Sequence, residues 1–87
     1  MRVLKLRDAD LHWREIDGEI IALEARGSRY VAANDSGAVL WRALAGGATR
    51  DGLADELVRV YGIERERALA DAGRFVAALA GHGFLTA

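Results

Sequence analysis

The sequence predicts a single α+β domain, spanning residues 1–87, in which three short strands precede three helices. Three observations favour this fold. The chain has the length of one domain. Apolar residues before Asn34 follow strand-like patterns broken by turn signals, and those after it recur at helical spacing. Glycines fall mainly between these segments. Residues 1–10 show no clear period, and two interpretations stay open for them: a loose arm or a short first strand.

The predicted strands form an antiparallel meander. The first begins at Leu11 and reaches Asp17-Gly18, a dipeptide typical of two-residue type I′ hairpin turns. The second returns from Glu19 to Glu24, and its apolar run exceeds strict alternation, which predicts a strand covered on both faces. A turn at residues 26–28 leads to the third strand, which ends at Ala33.

Capping residues delimit the three predicted helices. Asn34, Asp35 and Ser36 all favour an N-cap, so helix one runs from about Ser36 to Ala45 with Trp41 in the core. Thr49 caps helix two, and Gly62 ends it. Helix three extends from near Glu64, a weak capping residue, to about Ala80, after which Phe84-Leu85 folds back onto the core.

Composition argues against several functions. Acidic and basic residues number 13 and 12, without the basic excess of a nucleic-acid binder. The chain has no cysteine and only two histidines, His12 and His82, far apart in sequence. This pattern predicts no metal, no cofactor and no catalytic group. No apolar run approaches the roughly 20 residues of a membrane span, and cysteine absence fits a cytoplasmic protein.

Three strands followed by three helices is an arrangement shared with winged helix-turn-helix domains, so DNA binding is one alternative function. Helix three would then present Arg65, Arg67 and Arg74 to base edges. Carboxylates alternate with these arginines, which favours ion pairs along a solvated helix. A small DNA-binding regulator therefore stays a second hypothesis.

The third strand has a free edge, and a peptide that adds to this edge is the favoured partner. Unpaired amide and carbonyl groups on an edge strand accept an extended peptide. On helix three, Arg67, Asp71, Arg74 and Ala78 lie beside Phe75 on one border of the apolar arc. Asp71 is predicted to accept a hydrogen bond from the peptide. The opposite border is a competitor, and it consists of Leu69, Gly73, Val76 and Ala80. The free edge also allows a dimer.

The order of motifs resembles the PqqD-like family, which includes leader-peptide recognition elements of ribosomally made, post-translationally modified peptides. The matching residues are Asp17-Gly18-Glu19, Tyr30-x-x-x-Asn34-x-x-Gly37-Ala38-x-x-Trp41, Gly47-x-Thr49, Leu57-x-x-x-Tyr61-Gly62-Ile63, and Ala70-Asp71 with Phe75, Leu79 and Gly83. His12-Trp13-Arg14 and the short chain look most like the stand-alone leader-binding proteins of lasso-peptide clusters.

The resemblance implies a leader-binding protein that is not an enzyme. In the family, the leader adds as a strand to the third strand and lies against the third helix. Lasso leaders commonly carry a Tyr-x-x-Pro motif, a separate cysteine-protease-like peptidase removes them, and a cyclase then closes the ring. A peptide chaperone for a radical-SAM enzyme of quinone-cofactor biosynthesis is the alternative within this fold. The peptide-binding residues that the resemblance implies are Ser28, Arg29, Tyr30, Val31, Ala32, Ala33, Arg67, Ala68, Asp71, Arg74, Phe75 and Ala78.

Overall fold

The α+β architecture is confirmed in the computed structural model, which describes residues 2–7, 9–24 and 29–86, Arg29 through its backbone alone. The elements along the chain are β1 (Lys5–Leu6), β2 (Leu11–Ile16), β3 (Glu19–Glu24), β4 (Arg29–Ala33), α1 (Asp35–Ala45), α2 (Arg50–Tyr61), α3 (Arg65–Gly81) and β5 (Leu85–Thr86). The three predicted strands are β2, β3 and β4, and the three predicted helices follow them.

Strands β2, β3 and β4 form an antiparallel sheet in that spatial order. Asp17 and Gly18 connect β2 to β3 with positive φ angles of 51° and 81°, which is the geometry of a type I′ turn. A separate two-stranded sheet pairs β1 with β5. A short strand near the N-terminus is therefore the correct choice between the two sequence interpretations of this segment.

The core lies between the sheet and the helices. Trp41 is fully buried, and its indole meets the ring of Phe84 edge to face at 6.3 Å between centroids. Phe84 therefore folds back onto the core, as predicted. Ile20 and Ala22 contribute the buried face of β3. These contacts hold α1 across one side of the sheet, so the domain has two layers.

The helix boundaries follow the predicted caps, with two differences in detail. The Thr49 hydroxyl accepts a hydrogen bond from Gly52 N at 3.0 Å, and Gly62 ends α2 with φ 65°. Asn34 is the N-cap of α1, but its backbone carbonyl rather than its side chain accepts from Gly37 N, at 3.0 Å. The side chain of Glu64 makes no cap hydrogen bond, and α3 begins one residue later than predicted.

The prediction that β3 is covered on both faces is wrong. Ile20, Ala22 and Glu24 are buried on the side that faces the helices, whereas Leu23 is 45% exposed on the other side. The apolar residues of β3 occupy both faces, but the helices cover only one of them. The outer face of the sheet is therefore a partly apolar surface that is open to solvent.

Candidate peptide-binding site

The sheet of described strands ends in two edges, the β2 edge and the β4 edge. Each edge strand has one row of backbone N–H and C=O groups without a partner strand in this sheet. The two edges differ in their surroundings. Residues of α1 flank the β2 edge, whereas the β4 edge faces toward α3.

The hairpin register identifies which groups of β4 face outward. In a two-residue hairpin, the two residues that flank the turn form a pair joined by two backbone hydrogen bonds. Here that pair is Ile16 and Glu19. Because the pattern alternates, Glu19, Ile21 and Leu23 direct their backbone N–H and C=O groups to β2. The alternate residues of β3 therefore bond toward β4, where Ala22 is opposite Val31. Arg29, Val31 and Ala33 therefore form their backbone hydrogen bonds with β3. Tyr30 and Ala32 direct their N–H and C=O groups to the free edge.

In the sequence, the alternating pattern of the third strand makes Arg29 and Val31 equally plausible as the residues whose amide faces the edge. Both residues instead pair with β3, at positions opposite Glu24 and Ala22. The pattern of side chains alone does not reveal which backbone groups face a neighbouring strand, because that depends on the turn that sets the register.

Helix α3 brings its Arg67–Ala78 border toward the β4 edge. A Cβ atom placed on Gly37 would lie 3.3 Å from Ala33 Cβ and 3.7 Å from Phe75 Cε1. The ring of Phe75 thus reaches the junction where β4 passes into α1. The competing border is occupied elsewhere, since a Cβ on Gly73 would lie 2.7 Å from Arg50 Nη2 of α2. These contacts favour the first of the two borders, which stays a prediction.

Strand β4 and helix α3 each pack against α1, and α3 also packs against α2, but β4 and α3 make at most a marginal contact with each other. We call the space beside the β4 edge, on its α3 side, the groove. At the end of this groove lies a cavity of about 360 Å³. Its apolar walls come from α2 and the residues after it, and its rim is polar. The lining residues are Asp35, Ser36, Leu57, Tyr61, Ile63, Arg67 and Asp71.

Charged side chains line the α3 side of the groove. Arg74 donates a hydrogen bond to Asp71, and Arg67 Nε lies 3.7 Å from the other carboxylate oxygen of Asp71. Both guanidinium groups are largely exposed. Two arginines thus share one carboxylate, which holds them at the groove. Asp71 thus accepts a hydrogen bond from Arg74 in the free protein, and the hydrogen bond that it is predicted to accept from a peptide stays a prediction.

The predicted site residues differ in what they offer to a peptide. Tyr30 is 64% exposed on the outer face, and Ala78 is exposed on α3. Val31 and Ala33 are half-buried against the core. The prediction for Ala68 needs correction, because this residue is fully buried and has no surface for a ligand. Ser28 lies outside the described residues.

The sequence reasoning missed the residues at the end of the groove. The sequence gives Asp35 and Ser36 only as helix-cap candidates, and it gives Tyr61 and Ile63 only as residues of a family motif. The structural feature that reveals them is the strand-to-helix junction, where Asp35, two residues before Gly37, adopts a positive φ of 50°. A chain that turns this sharply from strand to helix places the first helical turn beside the strand edge.

At the β2 edge, an ion pair joins the sheet to α1. Arg42 Nε and Nη2 donate to the two carboxylate oxygens of Glu15 at 2.8 and 2.6 Å. The hydrogen bond from Arg42 lowers the pKa of Glu15 and raises that of Arg42. Glu15 lies opposite Ile20, on the helix-facing side of the sheet. An inward-pointing charge of this kind is one of the devices by which proteins protect an edge strand from pairing.

Two further properties bear on the kind of site. In the parts of the chain that the structure describes, no cluster of three or more His, Asp or Glu side chains is arranged to hold a metal ion. None of the described helices combines the length and apolar character that crossing a membrane requires.

The fold is that of a small α+β domain of the winged helix-turn-helix type, and the groove beside β4 is its candidate peptide-binding site. Residues 19–85 match the family model described as coenzyme PQQ synthesis protein D (PqqD), and the chain belongs to this family. No curated protein sequence matches the chain.

Two solved structures share the fold closely. One is TbiB1 in complex with the TbiA(beta) leader peptide, with a TM-score of 0.86, 23% identity and 93% coverage of both chains. The other is a lasso peptide synthetase B1 complexed with the leader peptide, with a TM-score of 0.84 and 25% identity. That match covers 97% of this chain and 98% of the other.

Proposed function

We propose that this protein binds the leader of a ribosomally made precursor peptide as an added strand on β4 and presents it to a separate maturation enzyme. The observation that carries the proposal is the β4 edge, where Tyr30 and Ala32 direct backbone groups into an open groove beside α3. Strand addition needs such an edge and apolar pockets for alternate side chains. Both similar solved structures contain bound leader peptides, which supports the same role here.

Lasso-peptide biosynthesis is the favoured context, because one of the similar structures is a lasso peptide synthetase B1. The proposed partners are a leader, with a Tyr-x-x-Pro motif as the family suggests, and a leader peptidase. The protein acts in the cytoplasm as a carrier and not as the catalyst. The family description favours one alternative, a PqqD-type peptide chaperone in quinone-cofactor biosynthesis.

The structure gives DNA binding no comparable support. All three arginines that the sequence offered for base contacts have acidic partners. Arg65 donates to Asp55 and lies 4.0 Å from Asp51, and Arg67 and Arg74 share Asp71. The hydrogen bond with Asp55 further raises the pKa of Arg65. A helix engaged in this way presents little free positive charge to phosphates.

A binding screen tests the proposed function. Peptides encoded by short reading frames beside the gene are synthesised as fluorescein-labelled leaders and titrated by fluorescence anisotropy, with a labelled random DNA duplex as control. We expect one leader to bind with submicromolar affinity that changes little with salt. Binding to the duplex that falls steeply with salt, through counterion release, together with no leader binding, would establish the regulator instead.

A further inference from the structure

The outer face of the sheet forms a second surface next to the β4 edge. Tyr30 is opposite Leu23, and Leu23 is opposite His12, so these three side chains form one row across the sheet. Tyr30 and Leu23 are 64% and 45% exposed. We call these residues the outer row. It begins at the strand to which the proposed leader adds and ends at the opposite edge.

A cavity lies at the far end of the outer row and extends around the β2 edge to Leu11 and Trp13, which belong to the helix-facing side of the sheet. Its volume is about 500 Å³, which exceeds that of the cavity at the end of the groove. Its lining combines apolar side chains with His12 and Arg14 and contains no carboxylate. The lining residues are Leu11, His12, Trp13, Arg14, Ile21 and Leu23. Such a cavity suits an apolar side chain with an acidic neighbour.

The direction of strand addition brings the leader to this row. Every described pair in the sheet is antiparallel, and antiparallel pairs outnumber parallel pairs roughly two- to threefold in proteins. Strand β4 runs from Arg29 to Ala33. An antiparallel peptide therefore has its C-terminal end beside Arg29, at the end of the sheet where the outer row lies. Ile16, opposite Glu19, occupies the other end of the same face.

The outer face is small for a protein partner. Three strands of about six residues span roughly 14 by 20 Å, or about 300 Å². A stable protein–protein interface covers roughly 800 Å² on each partner. A face of this size accommodates a few residues of an extended peptide. Its continuity with the β4 edge makes the occupant the same peptide that adds to that edge.

We propose that the precursor segment that follows the strand-forming residues crosses the outer row and places an apolar side chain, flanked by an acidic residue, in the cavity formed by Ile21, Leu23 and the side chains around them. This inference rests on the proposed function and extends it. It assigns a second contact surface for the leader, at which the segment leading to the modified part of the precursor leaves the protein.

Matched variants at the two ends of the outer face test the proposal. Leu23→Thr and Ile16→Thr each replace a half-exposed apolar side chain by a residue that keeps high strand propensity. Two labelled probes come from the leader that binds in the screen. One is the full leader, and the other is its shortest fragment that still binds wild-type protein and loses binding to Ala32→Pro. Thermal unfolding checks that each variant folds.

We expect Leu23→Thr to lower the affinity for the full leader about tenfold and that for the short fragment less than twofold, since only the full leader extends along the row to Leu23 and the cavity. Ile16→Thr should change the affinity for either probe by less than twofold relative to the wild-type protein. Unchanged binding of the full leader to Leu23→Thr overturns the proposal. So does a selective effect of Ile16→Thr, which would reverse the direction of the peptide. If Leu23→Thr binds the leader with unchanged affinity but no longer binds the peptidase, the outer face is a contact surface for the enzyme. That result would also overturn the proposal. If wild-type protein binds no leader, the proposed function itself fails.

Discussion

The two edges of one small sheet are built differently. The β2 edge carries charged side chains, and the paired carboxylate of Glu15 points toward the helices, where Arg42 holds it. Residues 30–33 of β4 carry no charge, and beside them α3 is set apart by a groove. Edge strands pair readily with other chains unless charge or cover prevents it. The difference supports the proposal that the β4 edge, rather than the β2 edge, receives the leader.

The largest expected effect is on stability, and it comes from a substitution beneath the β2 edge. Trp41 lies beneath β2, with its indole edge to face against Trp13 at 5.8 Å between centroids. Trp41→Ala deletes a fully buried side chain and should lower the free energy of unfolding by about 3–5 kcal/mol. Urea unfolding followed by circular dichroism measures this loss. A variant with wild-type stability would show that the β2 side does not support the fold.

A substitution at the β4 edge should leave the stability of the protein nearly unchanged and remove leader binding. Ala32 directs its amide to the free edge, so Ala32→Pro deletes a donor that only the added peptide uses. We expect leader affinity to fall at least about thirtyfold, or roughly 2 kcal/mol, with little change in the unfolding midpoint. Ala32→Ser is the control, because it keeps the amide.

Val31→Pro is a comparison variant for the same experiment, because it places proline at a residue whose amide does not face the edge. Its amide bonds to β3, so proline at this position should destabilise the free protein. If Val31→Pro folds normally and loses binding while Ala32→Pro binds, the assignment of the edge groups is reversed.

A smaller effect is expected at the α3 wall of the groove. Ala78 is exposed on the border that faces β4, and Ala77 is exposed on the solvent side of the same helix. Ala78→Leu fills space that the peptide needs and should weaken leader binding about tenfold. Ala77→Leu adds the same side chain away from the groove and should leave affinity unchanged. Equal effects of the two variants would place the leader elsewhere on α3.

Most of the fold was predictable from local signals. The Asp17-Gly18 turn, the Thr49 cap and the Gly62 stop each specify a backbone conformation within a few residues, and each is found where expected. The pairing of β1 with β5 was not predictable, because it joins two-residue segments at opposite ends of the chain. Such short strands have no period of their own, and their position depends on Phe84 packing in the core.

The candidate site was predictable in part. Helical periodicity placed Asp71, Arg74 and Phe75 on one face, and the structure shows that this face meets the strand-to-helix junction. The family resemblance added Ala68 to the site, but this residue proves fully buried, because it lies on the apolar side of α3 that packs into the core. The edge-facing role of Ala32 depends on a register that passes through two strand pairs, which no single segment encodes.

Amide hydrogen exchange, followed residue by residue by NMR, tests the central claim most directly. Spectra of the ¹⁵N-labelled protein are compared with and without a bound leader peptide. We predict that the amides of Tyr30 and Ala32 exchange quickly in the free protein and become protected when the leader binds. The amide of Val31 is protected in both states, and those of Trp13 and Glu15 on the β2 edge change little. Protection that appears at Trp13 and Glu15 instead, or at neither edge, would contradict leader binding by strand addition to β4.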